Sequence, residues 1–208
     1  MAHFTDKLPH RGIPMFTQRV VSLLILLAVS PVLIIAALLI RAESRGPVFF
    51  RQVRIGELGR QFYCYKLRSM RTPDDPRYRT PDPASSDREG VCKKFKQDPR
   101  ITFFGRWMRK FSIDELPQLI NVVRGDMALV GPRPHLKTEY LEYNHHIAAR
   151  LRAVPGLTGL WQVNGRADTN FDQQLAFDFD YIRGQNFWLD MKILIATIPA
   201  VVMARGAY

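Results

Sequence analysis

From Val20 to Ile40 the chain reads "VVSLLILLAVSPVLIIAALLI", 21 residues without a charge. As a helix this is long enough to cross a hydrocarbon core of about 30 Å, and few water-soluble folds would carry it. The run exceeds the usual apolar region of a signal peptide, and no small-x-small cleavage site follows it. Membrane attachment is therefore the expectation. Pro31, in the middle, removes one backbone N–H and crowds the carbonyl of Leu27, and the hydroxyl of Ser30 beside it can bond a freed backbone group. Basic residues flank both ends: Lys7, Arg11 and Arg19 before, Arg41, Arg45, Arg51 and Arg54 after. If positive charge stays in the cytoplasm, both ends are cytoplasmic. The sequence thus predicts a re-entrant helix-break-helix anchor with its break at Ser30 and Pro31. A kinked spanning helix is the alternative.

The net charge of +11 is concentrated in one segment. Residues 41 to 111 carry eighteen bases and eight acids, an excess of ten, whereas residues 112 to 208 carry nine bases and ten acids. Such a patch suits anionic headgroups, nucleic acid or a phosphate-bearing substrate. The two cysteines, Cys64 and Cys92, form no CxxC and read as free thiols. Adjacent His145 and His146 cannot share one helix face as a metal-binding pair would. No Walker A or GxGxxG element is present, so a P-loop or Rossmann nucleotide site has no support.

After the anchor, "GPVFFRQVRIGELGRQFYCYKLRSM" (46 to 70) reads as two strands joined by a Gly-bounded turn, ending in Lys66 and Arg68 as edge residues or anion ligands. Residues 72 to 99 are rich in Pro, Asp and Ser and read as a mobile loop. "LPQLINVVRG" predicts a helix stopped by Gly125. "GDMALVGPRPH" (125 to 135) and "PGLTGLWQVNGR" (155 to 166) read as loops that present Arg133 and Arg166. In the stretch 187 to 204 the apolar run after Lys192 is only about a dozen residues, too short to span, and predicts a core or interfacial helix. The fold class expected is mixed α and β, predominantly helical: a monotopic membrane protein with a small β-hairpin and amphipathic interfacial helices. Residues 1–44 form the N-terminal segment and anchor, and 45–208 a cytoplasmic domain.

The chemistry concentrates in "SIDELPQL" (112 to 119), where Asp114 and Glu115 stand side by side after a basic stretch. Ser112 and Glu115 match a capping box, but that register puts Pro117 where its missing N–H is needed. With Asp114 as N-cap, Pro117 falls at the third helical position and no bond is lost. Adjacent carboxylates on a basic background suit two jobs: holding Mg²⁺, or supplying a nucleophile to phosphorus. An ordinary acidic helix start is the bland alternative.

Seven motifs in order carry a family resemblance: Ser30-Pro31 in the apolar run, "GPVFFRQVRIG", "YKLRSM", "DPRIT", "RKFSIDELPQLINVVRGDMALVGPRP", "PGLTGLWQVNGR" and "DYI…LDMKILIAT". From about Arg19 to the C-terminus the chain resembles the bacterial sugar transferases of the monotopic phosphoglycosyl transferase family, in its minimal form. The resemblance implies transfer of sugar-1-phosphate from a UDP-sugar to a polyprenyl phosphate such as undecaprenyl phosphate, with release of UMP, in exopolysaccharide, O-antigen or glycoconjugate synthesis. It implies Asp114 as nucleophile, forming an aspartyl-phosphosugar, with Glu115 supporting Mg²⁺ and the acid-base environment. Arg109 and Lys66 match phosphate-contacting residues and Arg133 the uridine-nucleotide motif, and Arg166 in "PGLTGLWQVNGR" is expected as a further substrate- or phosphate-binding residue. Asp126 matches the acid of "GDM", with its role open. A bacterial inner membrane location, a catalytic domain on the cytoplasmic face and contact with membrane lipid follow. No nucleic-acid partner is expected, and a homo-oligomer is left open. The rival readings are a membrane-anchored basic binding protein and a Mg²⁺-dependent nucleotide-sugar diphosphatase.

Overall fold

One long helix takes the whole apolar run and the rest of the chain is built along it. The computed structural model describes residues 6–82, 98–141, 145–165 and 169–203. Helix α1 covers Met15–Glu43, 29 residues, a length of about 43 Å. Among the described residues it is the one helix long and apolar enough to cross a membrane. Its inward residues, Gln18, Ser22, Leu26, Val29, Leu33, Ala36 and Ile40, recur every three or four positions and are buried or packed on a core. That spacing makes one continuous helical seam. The opposite face, with Leu24, Leu27, Ile34, Ile35 and Leu38, is exposed.

The two separate helical arms expected around Ser30 and Pro31 are one helix here, with Pro31 inside it. The local reason is a replacement donor. The N–H that Pro31 lacks would have bonded the Leu27 carbonyl, and the Ser30 hydroxyl donates to that carbonyl at 2.8 Å instead.

Strands β1 (Phe49–Ile55) and β2 (Gln61–Leu67) form the expected antiparallel hairpin, from Phe49 opposite Leu67 to Ile55 opposite Gln61. The turn between them places Leu58 and Gly59 at positive φ, 54° and 81°. Helix α2 (Phe103–Lys110) is capped by Thr102, whose hydroxyl accepts from the Gly105 N–H, and by Glu43, whose carboxylate accepts from the N–H groups of Phe103 and Phe104. The last residue of α1 thus closes the first turn of α2. Arg68 does not face solvent or a free anion. Its guanidinium donates to the carbonyls of Ser44, Arg45 and Gly46 just past α1, at the negative end of that helix.

A 3-10 turn, Ile113–Gln118, runs directly into α3 (Leu119–Arg124), which Gly125 ends at φ 87°. Two segments expected as loops contribute strands instead: β3 (Ala128–Val130) pairs in parallel with β5 (Gly156–Thr158). β4 (His135–Leu136) joins the free edge of β1, giving the order β2-β1-β4. Strands of two or three residues are too short to show an alternation, and their partners are distant in sequence. Helices α4 (Lys137–Leu141), α5 (His145–Ala148), α6 (Leu160–Asn164), α7 (Phe171–Gly184) and α8 (Phe187–Val202) complete the chain. As expected for its length, α8 is half core and half surface: Ile193 is buried while Trp188, Ile195, Ile198 and Val202 are exposed. The main core gathers Phe62, Cys64, Leu119, Val122, Met127, Leu129, Val130, Tyr181 and Ile193.

Two polar devices hold these parts together. Asn121, fully buried, accepts from the Tyr65 N–H at 3.1 Å and donates to the Tyr63 carbonyl at 2.7 Å, so one side chain on α3 satisfies the outer edge of β2. Asp190, also fully buried, accepts from the Ile13 N–H and the Tyr181 hydroxyl, both at 2.8 Å, tying the segment before α1 to α7 and α8. Asn121→Ala would leave the part-buried Tyr65 N–H and Tyr63 carbonyl without their side-chain partner, a loss of about 1 to 3 kcal/mol. Chemical denaturation in detergent is expected to show that loss.

Candidate active site

The pleat of β2 explains why a lysine reaches inward. Alternate residues of a strand share a face, so Lys66 lies on the side of Phe62 and Cys64, both buried. The 3-10 turn packs on β2, and the Lys66 ammonium meets the Glu115 carboxylate in an ion pair. Glu115 and Asp114 are consecutive in a helical turn, so their side chains diverge, Glu115 to the strand and Asp114 to the interior. Asp114 is 8% exposed.

The capping register expected for Asp114 is not the one formed. α2 runs into the 3-10 turn with only Phe111 and Ser112 between, and Ser112 holds the left-handed conformation, φ 55° and ψ 24°. No residue at this junction has the extended backbone that an N-cap requires, and no side-chain cap forms. Asp114 instead lies inside the first turn, where its own backbone N–H stabilises the carboxylate. Pro117 is the fifth residue of the 3-10 turn, so its missing N–H leaves out the bond that position would have donated to the Asp114 carbonyl.

The two carboxylates titrate apart. Burial and the neighbouring Glu115 charge push Asp114 up to about 6, against the opposing pull of Lys66 and Arg109. Burial also works against the Glu115 anion, but Lys66, then Arg133 and Arg54, outweigh it and hold Glu115 well below the usual carboxylate range. Of the pair, Glu115 is thus the fixed anion, and Asp114 is the group that exchanges its proton near neutrality.

Lys66, Arg109, Asp114, Glu115 and Arg133, expected together, are together: each cation acts on one or both acids. Arg133 lies over the ring of Trp161, 5.1 Å from its centroid. Asp126 stands behind the site. Its carboxylate accepts from Asn121 Nδ2 at 3.2 Å, steadying the side chain that holds the edge of β2. Ser30 and Pro31 belong to α1 alone. Arg166 lies outside the described residues, as does 83–97 of the segment expected as a mobile loop. Sequence reasoning missed Arg54, Asn121 and Trp161 as site residues. Alternation along β1 was the available signal for Arg54, whereas Asn121 and Trp161 required the packing of distant segments.

A divalent ion fits the donor set. Asp114 Oδ1 is buried and has no hydrogen-bond partner, and carboxylate oxygen is the donor that Mg²⁺ prefers. Among the described residues no cluster of three or more His, Cys, Asp or Glu could hold a metal alone, so such an ion would draw its remaining ligands from water and a phosphate substrate.

Residues 10–204 match the sequence model of the family described as bacterial sugar transferase, and the chain belongs to that family. It is 38% identical over 191 residues to the exopolysaccharide production protein ExoY of Sinorhizobium fredii, covering 90% of this chain and 84% of that protein. It is 45% identical over 187 residues to the UDP-glucose:undecaprenyl-phosphate glucose-1-phosphate transferase of Caulobacter vibrioides, covering 86% of this chain and 66% of that one. It is 41% identical over 192 residues to the undecaprenyl-phosphate galactose phosphotransferase of Salmonella typhimurium, covering 91% of this chain and 40% of that one.

The raised Asp114 sets the direction of a stability test. Between about pH 4 and 6 the folded chain retains a proton on Asp114 that the unfolded chain, with its pKa near 3.8, has released. Stability from this group is therefore full below pH 4 and is lost as pH rises through 6. Asp114→Asn, which carries no charge, is expected to unfold later than wild type at pH 8 by about 2 to 3 kcal/mol, with the difference vanishing near pH 4. Paired denaturation curves at the two pH values measure it.

Proposed function

We propose that the chain is an undecaprenyl-phosphate sugar phosphotransferase that moves sugar-1-phosphate from a UDP-sugar to the lipid phosphate through a covalent intermediate on Asp114. The observation that carries this reading is the unpartnered, buried Oδ1 of Asp114 among Lys66, Arg109 and Arg133. A carboxylate oxygen left without a donor is poorly solvated and hence reactive once ionised, and the surrounding cations suit a diphosphate. The names of relatives such as the Caulobacter and Salmonella enzymes support the substrate class.

In the proposed cycle Asp114 Oδ1 attacks the β-phosphorus of the UDP-sugar. A carboxylate oxygen to phosphorus bond forms, the bond from that phosphorus to the bridging oxygen breaks, and UMP leaves. An oxygen of the lipid phosphate then attacks the same phosphorus, releasing the Asp114 carboxylate and forming the lipid diphosphosugar. Lys66 and Arg109 offset the charge that gathers on the non-bridging oxygens, while Arg133 meets the nucleotide. Glu115, held ionised by Lys66, keeps its charge through the cycle. A bound Mg²⁺ would supply further charge neutralisation at the diphosphate. The segment 72–99 is assigned the task of excluding water from the loaded site.

The anchor belongs to the same reading. α1 meets one body near both ends: Gln18 Oε1 accepts from the Leu129 N–H, and Glu43 caps α2. This supports a monotopic arrangement on the cytoplasmic face of the inner membrane, with both flanks on one side and the exposed apolar face of α1 in lipid.

Purified protein in nanodiscs, with UDP-sugars, Mg²⁺ and undecaprenyl phosphate, is expected to release UMP and form a lipid-linked product. Asp114→Asn is expected to lose at least about a thousandfold in rate. Protein incubated without lipid acceptor is expected to retain sugar-phosphate label by intact mass. Release of UMP with no labelled lipid would favour a diphosphatase, and full transfer by the Asn variant would remove the nucleophile. A tag placed before His3 is expected to be cytoplasmic, and a periplasmic signal would overturn the monotopic arrangement.

A further inference from the structure

The register of the hairpin brings into the site a residue that the reaction above leaves without a task. Directly opposed residues on antiparallel strands share a face. Phe50 lies opposite Lys66, Gln52 opposite Cys64 and Arg54 opposite Phe62. Gln52 and Arg54 therefore stand on the Lys66 face. Arg54 is 6% exposed, with Nη1 donating to the Pro134 carbonyl at 3.1 Å and Nη2 to Gln52 Oε1 at 2.8 Å. Neither acceptor is an anion, and burial lowers the guanidinium to about 10. Its charge helps hold Glu115 ionised, but a buried cation whose hydrogen bonds go to neutral acceptors is costly, so those two contacts need a further reason.

The reason lies in the turn that presents Arg133. Pro132 and Pro134 flank it and neither has an N–H, so the turn is held mainly through acceptors. On one side the Gly156 N–H donates to the Pro132 carbonyl at 2.8 Å. On the other, the Pro134 carbonyl is taken by Arg54. Arg133 lies between these two fastenings, its guanidinium over Trp161 and its charge acting on Glu115.

We propose that Arg54 is a positioning residue for the nucleotide-sugar step: by holding the Pro134 carbonyl, oriented itself by Gln52, it fixes Arg133 between Trp161 and Glu115. This rests on the reading in which Arg133 meets the nucleotide. Lysine keeps the charge but cannot fork to both acceptors. Arg54→Lys is therefore expected to raise KM for the UDP-sugar and Ki for UMP about tenfold, with KM for the lipid phosphate unchanged. Gln52→Ala, which removes only the orienting acceptor, is expected to raise the same two constants about threefold and to leave the lipid constant alone. Unchanged UDP-sugar constants in both variants would overturn the proposal, as would an equal rise for both substrates. If Arg54→Lys fails to fold, Gln52→Ala decides alone. A wild-type protein that neither binds UMP nor transfers sugar-phosphate would remove the functional reading itself, a result distinct from a transferring wild type matched by its variants.

Discussion

A pair of adjacent carboxylates facing a strand that supplies a lysine is the interaction on which this structure depends. Two acids in one helical turn repel, and burial raises the cost of each. The ion pair of Lys66 with Glu115 offsets that cost for Glu115, and Arg54 and Arg133 add to the offset. Asp114 responds by holding its proton more tightly. The hairpin, the 3-10 turn and the turn around Arg133 must therefore be fixed relative to one another. Asn121 and Arg54 do that fixing, through backbone groups at Tyr63, Tyr65 and Pro134.

The anchor is joined to this arrangement rather than appended to it. Gln18 on α1 holds Leu129 on β3, two residues before the turn that carries Arg133, and Glu43 at the far end caps the helix that leads into Asp114. The proposed transfer between a water-soluble nucleotide sugar and a lipid phosphate would need its site at the headgroup plane. A helix with one face on the domain and an exposed apolar face opposite would set that height directly. The basic segment after α1 would add attraction to anionic headgroups over roughly a Debye length under that proposal.

Much of the site was legible before folding because its chemistry is written in local runs. "SIDELPQL", "YKLRSM" and "GPRP" each name their charged residue, and the structure unites Asp114, Glu115, Lys66, Arg109 and Arg133. The helix register was not legible. The choice of Asp114 as N-cap assumed an extended residue before the helix, and the left-handed Ser112 removes it. β3 and β5 were not legible either, since a three-residue parallel pair joins segments almost thirty positions apart. The expected interruption at Pro31 overlooked how well the Ser30 hydroxyl replaces the lost donor.

Composition and order alone determined that the chain has a long apolar run, a basic segment and a carboxylate pair, because hydrophobic length, charge and adjacency are properties of the string. Only tertiary structure decided which carboxylate stays ionised, because that depends on burial and on cations contributed by β1, β2 and the turn after β3. It also decided that Arg54 faces the site, since a strand residue acquires a side only when its partner strand and register are set.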